Sequence, residues 1–415
     1  MHTLPPINSP LLGGYEFGQQ GPAPALSSSS SLVRGKRPLK SYATLALGLC
    51  FGSLLVWTLT APETVARIQD NVTIHLSSSS SRKSYGKQSS VEKQCNPFNE
   101  PGQLEVKQGD PDANVWKPWN PSCNASSLLT NLRNREDLPW LHNKTVAIFG
   151  DSIDRDHIEY FCEMSRGNME WIWEGSRYDP AYTYSPGDPK SYSAADNGQS
   201  TGGGDQSRPR ICYLEEYDFA VVFAFHYGLS DGGEGERNLA HFYPPFRFQD
   251  RLKNILVPIL KSAKRYPPTL VELGTGTWDL QHWTFEDREA DVDRMSFVSS
   301  SRAEWYRERF ATALATVEEV FAQENQEERV SLMFREMQFT KMVDSVPPPR
   351  VQGLKNLQSH IMKEKIDNGS WSIDPLARLI LGQEHYYRDS IHPIQLPAGK
   401  IWADIMLHQV MMLSR

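Results

Sequence analysis

The chain has 415 residues, a formal net charge of -7, 39% hydrophobic residues and 22% charged residues. That length admits two or three ordinary domains or one large α/β domain. The acidic balance argues against nucleic acid as the main partner.

Residues 1–40 are rich in Pro, Gly and Ser, with Ser27 to Ser31 in a row. They carry too little apolar periodicity to fold, which predicts a disordered tail. From Tyr42 to Thr60 the chain has no charge, over about the length that crosses a hydrocarbon core. The expectation is a transmembrane helix over 41–61, with a buried core helix as the alternative. A cleavable signal peptide would sit nearer the N-terminus, which favours a retained anchor. Arg34, Lys36, Arg37 and Lys40 precede the segment, and Glu63, Arg67 and Asp70 follow it. The positive-inside rule then leaves the tail in the cytosol and the bulk of the chain in the lumen or outside. This is a type II, single-pass arrangement, expected in the Golgi or elsewhere on the secretory pathway. Residues 62–94 are again Ser-rich, with Ser77 to Ser81 in a row, and read as a stem open to O-glycosylation.

The folded domain is expected over 95–415. Cys50 falls in the apolar segment, and Cys95, Cys123, Cys162 and Cys212 fall on the luminal side. An even number in an oxidising compartment predicts two disulfides. Sequence order favours Cys95 with Cys123 and Cys162 with Cys212, among three connectivities. Asn71, Asn124, Asn143 and Asn368 each open an N-x-S/T sequon, compatible with secretion. The eleven Trp and sixteen Tyr offer faces that stack on sugar rings, although core packing is the commoner use of Trp.

Strand-like apolar runs follow at Thr145 to Phe149, Asp218 to Phe225, Thr269 to Leu273 and Val330 to Phe334. Helical stretches lie near 153–165, 247–264, 301–324, 351–366 and 396–413. Continuous apolar strands between helices predict a three-layer α/β/α sandwich around a parallel sheet. The Gly-, Ser- and Pro-rich stretch over 185–210 predicts a long surface loop. Each strand ends on polar or glycine residues: Gly150-Asp151-Ser152, His226-Tyr227-Gly228, Gly274-Thr275-Gly276-Thr277-Trp278-Asp279 and Arg335-Glu336. Ligands of open α/β sheets bind at the carboxyl ends of the strands, so these endings mark one edge as the candidate site.

Ser152 is the candidate nucleophile. At a strand-to-helix turn its hydroxyl is exposed and its N–H faces a developing oxyanion. The bland reading is that Asp151 or Ser152 only caps the following helix. A base and its orienting carboxylate are sought in the pattern Asp-x-x-His, which occurs three times: Asp154 with His157, Asp279 with His282, and Asp389 with His392. The first pair reads as a solvated helix face. The second follows the third strand and competes for the base. The third precedes Pro393, which favours a turn over a helix. There Asp389 reaches the His392 Nδ1–H and leaves Nε2 for Ser152, the order of parts in serine acyl transfer. No His-Glu-x-x-His zinc motif, Cys-x-x-Cys pair, phosphate loop or Gly-x-Ser-x-Gly elbow occurs, so no metal is expected and the α/β-hydrolase fold is disfavoured.

The Gly150-Asp151-Ser152 turn and the late Asp389-Ser390-Ile391-His392 segment resemble the SGNH hydrolase superfamily. Within it, the chain is most similar to the PC-esterase and trichome-birefringence-like branch, which modifies acyl esters on glycans. The resemblance spans about 95–415 and is strongest at those two ends. It implies Ser152 as nucleophile, His392 as base and Asp389 as orienting carboxylate. Cys95-Asn96-Pro97-Phe98, Trp119-Asn120-Pro121-Ser122-Cys123 and Leu138-Pro139-Trp140 resemble the branch's Cys-rich lead-in. Arg335 resembles an arginine carried at a similar place. One departure stands out: where the branch has an asparagine that supplies an oxyanion-hole amide, this chain has Gly274. The donors are then sought among the backbone N–H groups of Gly228, Gly274 and Gly276 and among Thr275 and Thr277, with Asp151 and Arg335 as further contacts for oxyanion or substrate.

The expectation is an O-acetyltransferase acting on a polysaccharide or glycoconjugate, or an esterase with the same three residues. It would hold no bound cofactor. A transferase also needs an acetyl carrier as donor, and one membrane span provides no import route, so a separate protein would supply it. The rival is a catalytically degenerate glycan-binding or scaffold protein.

Overall fold

The computed structural model describes residues 95–123, 126–172, 176–179, 207–230, 245–293, 295–321, 329–341 and 346–414. The expected tail, apolar segment and stem over 1–94 lie outside them, as do Cys50, Asn71, Asn124 and most of the 185–210 loop. The lead-in is a hairpin of β1 (Gly102–Glu105) and β2 (Val115–Pro118), followed by α1 (Leu128–Arg133). The Cys95–Cys123 disulfide closes it.

Val146 to Phe149 are apolar without alternation, as a strand covered on both faces requires. They lie in β3 (Thr145–Gly150), the central strand of a seven-stranded sheet, and every residue of it is buried. The chain then passes through α2 (Ser152–Ser165), β4 (Asn168–Trp171), β5 (Arg210–Leu214) and β6 (Phe219–Phe225). A helical stretch follows, from α3 (Phe248–Arg251) through a π-helical segment into α4 (Val257–Ser262). Then come β7 (Leu270–Gly274), α5 (Thr277–Glu289), α6 (Ser300–Phe321), β8 (Ser331–Arg335) and α7 (Pro348–Asp367). The last elements are β9 (Trp371–Asp374), α8 (Leu376–Leu379) and α9 (Lys400–Leu413). The sheet order is β4-β5-β6-β3-β7-β8-β9.

Alternate residues of β3 face opposite cores. Val146 and Ile148 pack with Phe161 of α2 and Trp402 and Met406 of α9. Ala147 and Phe149 pack with Leu252, Leu280, Phe310 and Leu354 from the helices on the other face. The Cys162–Cys212 disulfide ties the end of α2 to β5. Asn143 and Asn368 are exposed.

Two expectations need correction. The sheet is mostly but not wholly parallel: β6, β3, β7, β8 and β9 run together, whereas β5 is antiparallel to β6 and β4 to β5. For β5 and β6 the cause is the short 3-10 turn Glu215–Tyr217 that joins them. Parallel neighbours need a crossover of a dozen residues or more, and four residues cannot provide one. The expected transmembrane helix is also not supported, its residues 41–61 lying outside those described. No helix among the described residues is long and apolar enough to cross a membrane.

Candidate active site

Register levels the strand ends. Gly150 pairs with Phe225, Phe149 with Leu273, Gly274 with Arg335, and Arg335 with Asp374. The residues just beyond them therefore share one edge, and α2 begins there. Its N-cap is Asp151, whose Oδ1 accepts from the Ile153 N–H at 2.9 Å. Asp154 reaches back so that its Oδ2 accepts from the Asp151 N–H at 2.8 Å. This reciprocal pair is a capping box, and it leaves Ser152 at the first helical position, partly exposed.

His392 arrives on a tight turn. Asp389 Oδ1 accepts from the Ile391 and His392 N–H groups at 2.8 and 2.9 Å, and the Arg388 N–H donates to the His392 carbonyl at 2.9 Å. Pro393 follows, its neighbourhood bridged to Tyr387. The turn is docked from three sides. Arg388 Nη2 donates to Asp156 Oδ2 of α2 at 2.9 Å, Lys341 Nζ to the Tyr387 carbonyl at 3.0 Å, and the Tyr160 hydroxyl to the Pro393 carbonyl at 3.3 Å. Arg155 holds the other oxygen of Asp156 at 2.8 Å.

The consequence is a continuous hydrogen-bonded chain. His392 Nε2 lies 2.7 Å from Ser152 Oγ, and His392 Nδ1 lies 2.7 Å from Asp389 Oδ2. Burial opposes the charge on Asp389, but the His392 ring and two backbone N–H groups outweigh it and hold the carboxyl well below its usual range. An ionised Asp389 fixes the proton on Nδ1 and leaves Nε2 to accept from the serine.

No protein-family model and no curated protein matches the chain.

The competing pair is not assembled with the serine. His282 lies on α5, its Nε2 3.1 Å from Glu286 Oε1. Asp279 turns instead to the loop after β6, where its Oδ1 accepts from the Leu229 N–H at 2.8 Å. Burial pushes the Asp279 carboxyl up to about 7. The expectation for Asp154 and His157 is reversed, because both are fully buried. His157 stacks on Trp402 with ring centroids 5.0 Å apart, and burial, reinforced by the Arg335 charge, pushes its imidazole down to about 3.

Arg335 is 1% exposed. It is a floor beneath the turn rather than a group offered to a substrate. Its Nε and Nη2 donate to the two oxygens of Asp154 at 2.5 and 2.8 Å, and Nη2 lies 3.8 Å from Asp151 Oδ1. Burial pushes the Asp151 carboxyl up, with Asp154 adding to the effect. Deeper down, Glu272 accepts from the Trp402 indole at 3.0 Å, and burial beside Asp374 pushes it well above its usual value.

Of the expected oxyanion donors, the Gly228 N–H is engaged and the threonines are buried. The Gly228 N–H, at a positive φ of 85°, donates to His226 Nδ1 at 3.2 Å, and His226 Nε2 lies 2.7 Å from the Gly274 carbonyl. Those partners fix His226 with its proton on Nε2. Burial pushes that ring down to about 4, so it is neutral. Thr275 and Thr277 are buried, and Gly276 is the N-cap of α5. The Ser152 N–H has no intrahelical partner at its position.

Sequence reasoning missed the Asp154–Arg335 pair, although Asp-x-x-Asp after a strand is itself a capping-box signal. It also missed the Arg388–Asp156 clamp, whose partners are 232 residues apart and leave no local signal. Trp116, Trp283, Trp371 and Trp402 are core, whereas Trp119 is 71% exposed.

Proposed function

We propose that this chain is a serine acyl-ester enzyme of the SGNH type, acting on glycan hydroxyls in the secretory pathway. The observation that carries the reading is the Ser152–His392–Asp389 chain, with both links at 2.7 Å. As His392 Nε2 takes the serine proton, Oγ attacks the acyl carbonyl carbon. The tetrahedral intermediate collapses, and the departing alkoxide takes the proton from His392. An acyl-serine remains. An acceptor hydroxyl then gives its proton to His392 and attacks that ester, and Ser152 leaves with the proton. A sugar acceptor makes the enzyme an O-acetyltransferase, our preferred reading, and water makes it an esterase. The transferase needs an acetyl carrier from another source, such as a partner protein. The two disulfides support an oxidising compartment, and the Golgi is the compartment we favour.

One observation favours a second reading, a glycan-binding protein with a silent site. Gly274 carries no side-chain amide, and the Gly228 N–H is already engaged. Losing one oxyanion donor costs on the order of a hundredfold or more in rate. Incubation with 4-nitrophenyl acetate, a quench in acid and peptide mass spectrometry decide between the two. The enzyme reading predicts acetyl on the Ser152 peptide and none in Ser152→Ala. A parent with no acetyl-serine supports the binding reading. Offering an oligosaccharide together with a labelled acetyl donor then separates transfer from release to water.

A further inference from the structure

We propose that Arg335, acting through Asp154, is the positioning residue that fixes the Asp151–Ser152 turn for attack. The inference rests on the acyl-transfer reading of Ser152 and adds what holds the serine in place.

Three consecutive N–H groups open α2. The first, on Asp151, donates to Asp154 Oδ2 at 2.8 Å, and the third, on Ile153, donates to Asp151 Oδ1 at 2.9 Å. Between them the Ser152 N–H has no partner among the described residues. The two acceptors that tie down its neighbours both answer to one cation. Arg335 grips Asp154 through two parallel hydrogen bonds and stands 3.8 Å from Asp151 Oδ1. A planar two-pronged grip sets orientation as well as distance. Arg335 comes from β8 and Asp154 from α2, so the grip ties the nucleophile turn to the sheet.

The backbone is shaped around this pair. A Cβ at Gly274 would meet Arg335 Nη2 and lie 2.7 Å from Asp154 Oδ2. A Cβ at Gly150 would meet the Asp154 carboxylate. Both strand ends next to the serine are therefore glycine because the ion pair fills the space of their side chains. Gly274 is the position where an oxyanion amide was expected, and an asparagine side chain there would displace the guanidinium. A buried ion pair brings little net stability compared with apolar packing. Its placement under the serine points to geometry as its use.

The test uses the purified full-length chain with Arg335→Lys, Asp154→Asn and Gly274→Ala. The readouts are the second-order rate of fluorophosphonate labelling and the kinetics of 4-nitrophenyl acetate hydrolysis. Lysine keeps the charge and loses the fork; alanine at 274 keeps both partners and pushes them apart. Asp404→Asn is the structural comparator, since it breaks another buried ion pair, Lys400–Asp404, on α9. Positioning predicts labelling slowed roughly tenfold to a hundredfold in all three variants, with kcat lowered and KM unchanged. Asp404→Asn lowers the melting temperature without slowing the folded enzyme. Arg335→Lys or Gly274→Ala, folded and labelled at the parental rate, overturns the proposal. So does an equal slowing in Asp404→Asn. A parent that does not label overturns the acyl-transfer reading itself, a different failure from a parent that labels and variants that label equally well.

Discussion

At the scale of single residues, the surroundings of the histidines separate their roles. His392 has Ser152 on one nitrogen and Asp389 on the other, whereas His282 is engaged with Glu286. His392→Ala is expected to slow fluorophosphonate labelling on the order of a thousandfold or more, and His282→Ala to leave it within about twofold. The reverse pattern would move the base to α5. Asp279 makes a different prediction, about stability. Its folded pKa of about 7 lies above the ordinary 3.8. A carboxyl raised in this way contributes stability in acid and loses it as pH rises through the folded value. Stability should thus fall between about pH 4 and 7, by roughly 1 kcal/mol per pH unit from this group. Asp279→Asn should flatten that fall in thermal melts at stepped pH. An unchanged slope would show that the buried carboxyl does not titrate there.

At the scale of elements, two short pieces bring the serine and the histidine together: the capped start of α2 and the Tyr387–Pro393 turn. Asp151→Ala should lower stability by about 1 kcal/mol, as loss of an N-cap does, and slow labelling as the turn loosens. Arg388→Ala should behave otherwise. Arg388 is half-exposed, and Asp156 keeps Arg155 as a partner. The loss in stability should stay below about 1 kcal/mol, while kcat falls several-fold because the His392 turn is no longer clamped to α2. Parental kcat in Arg388→Ala would mean that Lys341 and Tyr160 suffice. The elements differ in how far the sequence reveals them. Four of the five parallel strands fall on the four apolar runs, which burial on both faces keeps largely apolar even where Glu272 or Ser331 interrupts them. β4, β5 and β9 are only four or five residues long and mix polar with apolar side chains, so none stands out as a continuous apolar run. α5 has Trp, Asp, His and Glu around its circumference and likewise lacks an apolar stripe. The Ser, Asp and His of the site were visible as local turn signals, but three Asp-x-x-His pairs share that pattern and the family resemblance chose among them. The floor of Asp154, Arg335 and Glu272 was not, since charged residues on a helix or at a strand end read as solvated until the fold buries them.

At the scale of the whole molecule, the carboxyl edge of the sheet carries the serine turn and its Arg335 floor, and the His392 turn docks beside it against α2. The Cys162–Cys212 disulfide spans 50 residues and joins α2, which bears the serine, to the antiparallel edge of the sheet. Replacing both cysteines by serine is expected to lower stability by about 2–4 kcal/mol, read by urea unfolding. A smaller loss would place that edge outside the cooperative core. The central claim is that Ser152 is activated by His392. Its most direct test is fluorophosphonate labelling of the full-length chain beside Ser152→Ala and His392→Ala. Activation of Ser152 by His392 requires a labelled parent, with the label mapped to Ser152, and loss of labelling in both variants. A folded parent that stays unlabelled, or a His392→Ala variant that labels at the parental rate, would contradict it.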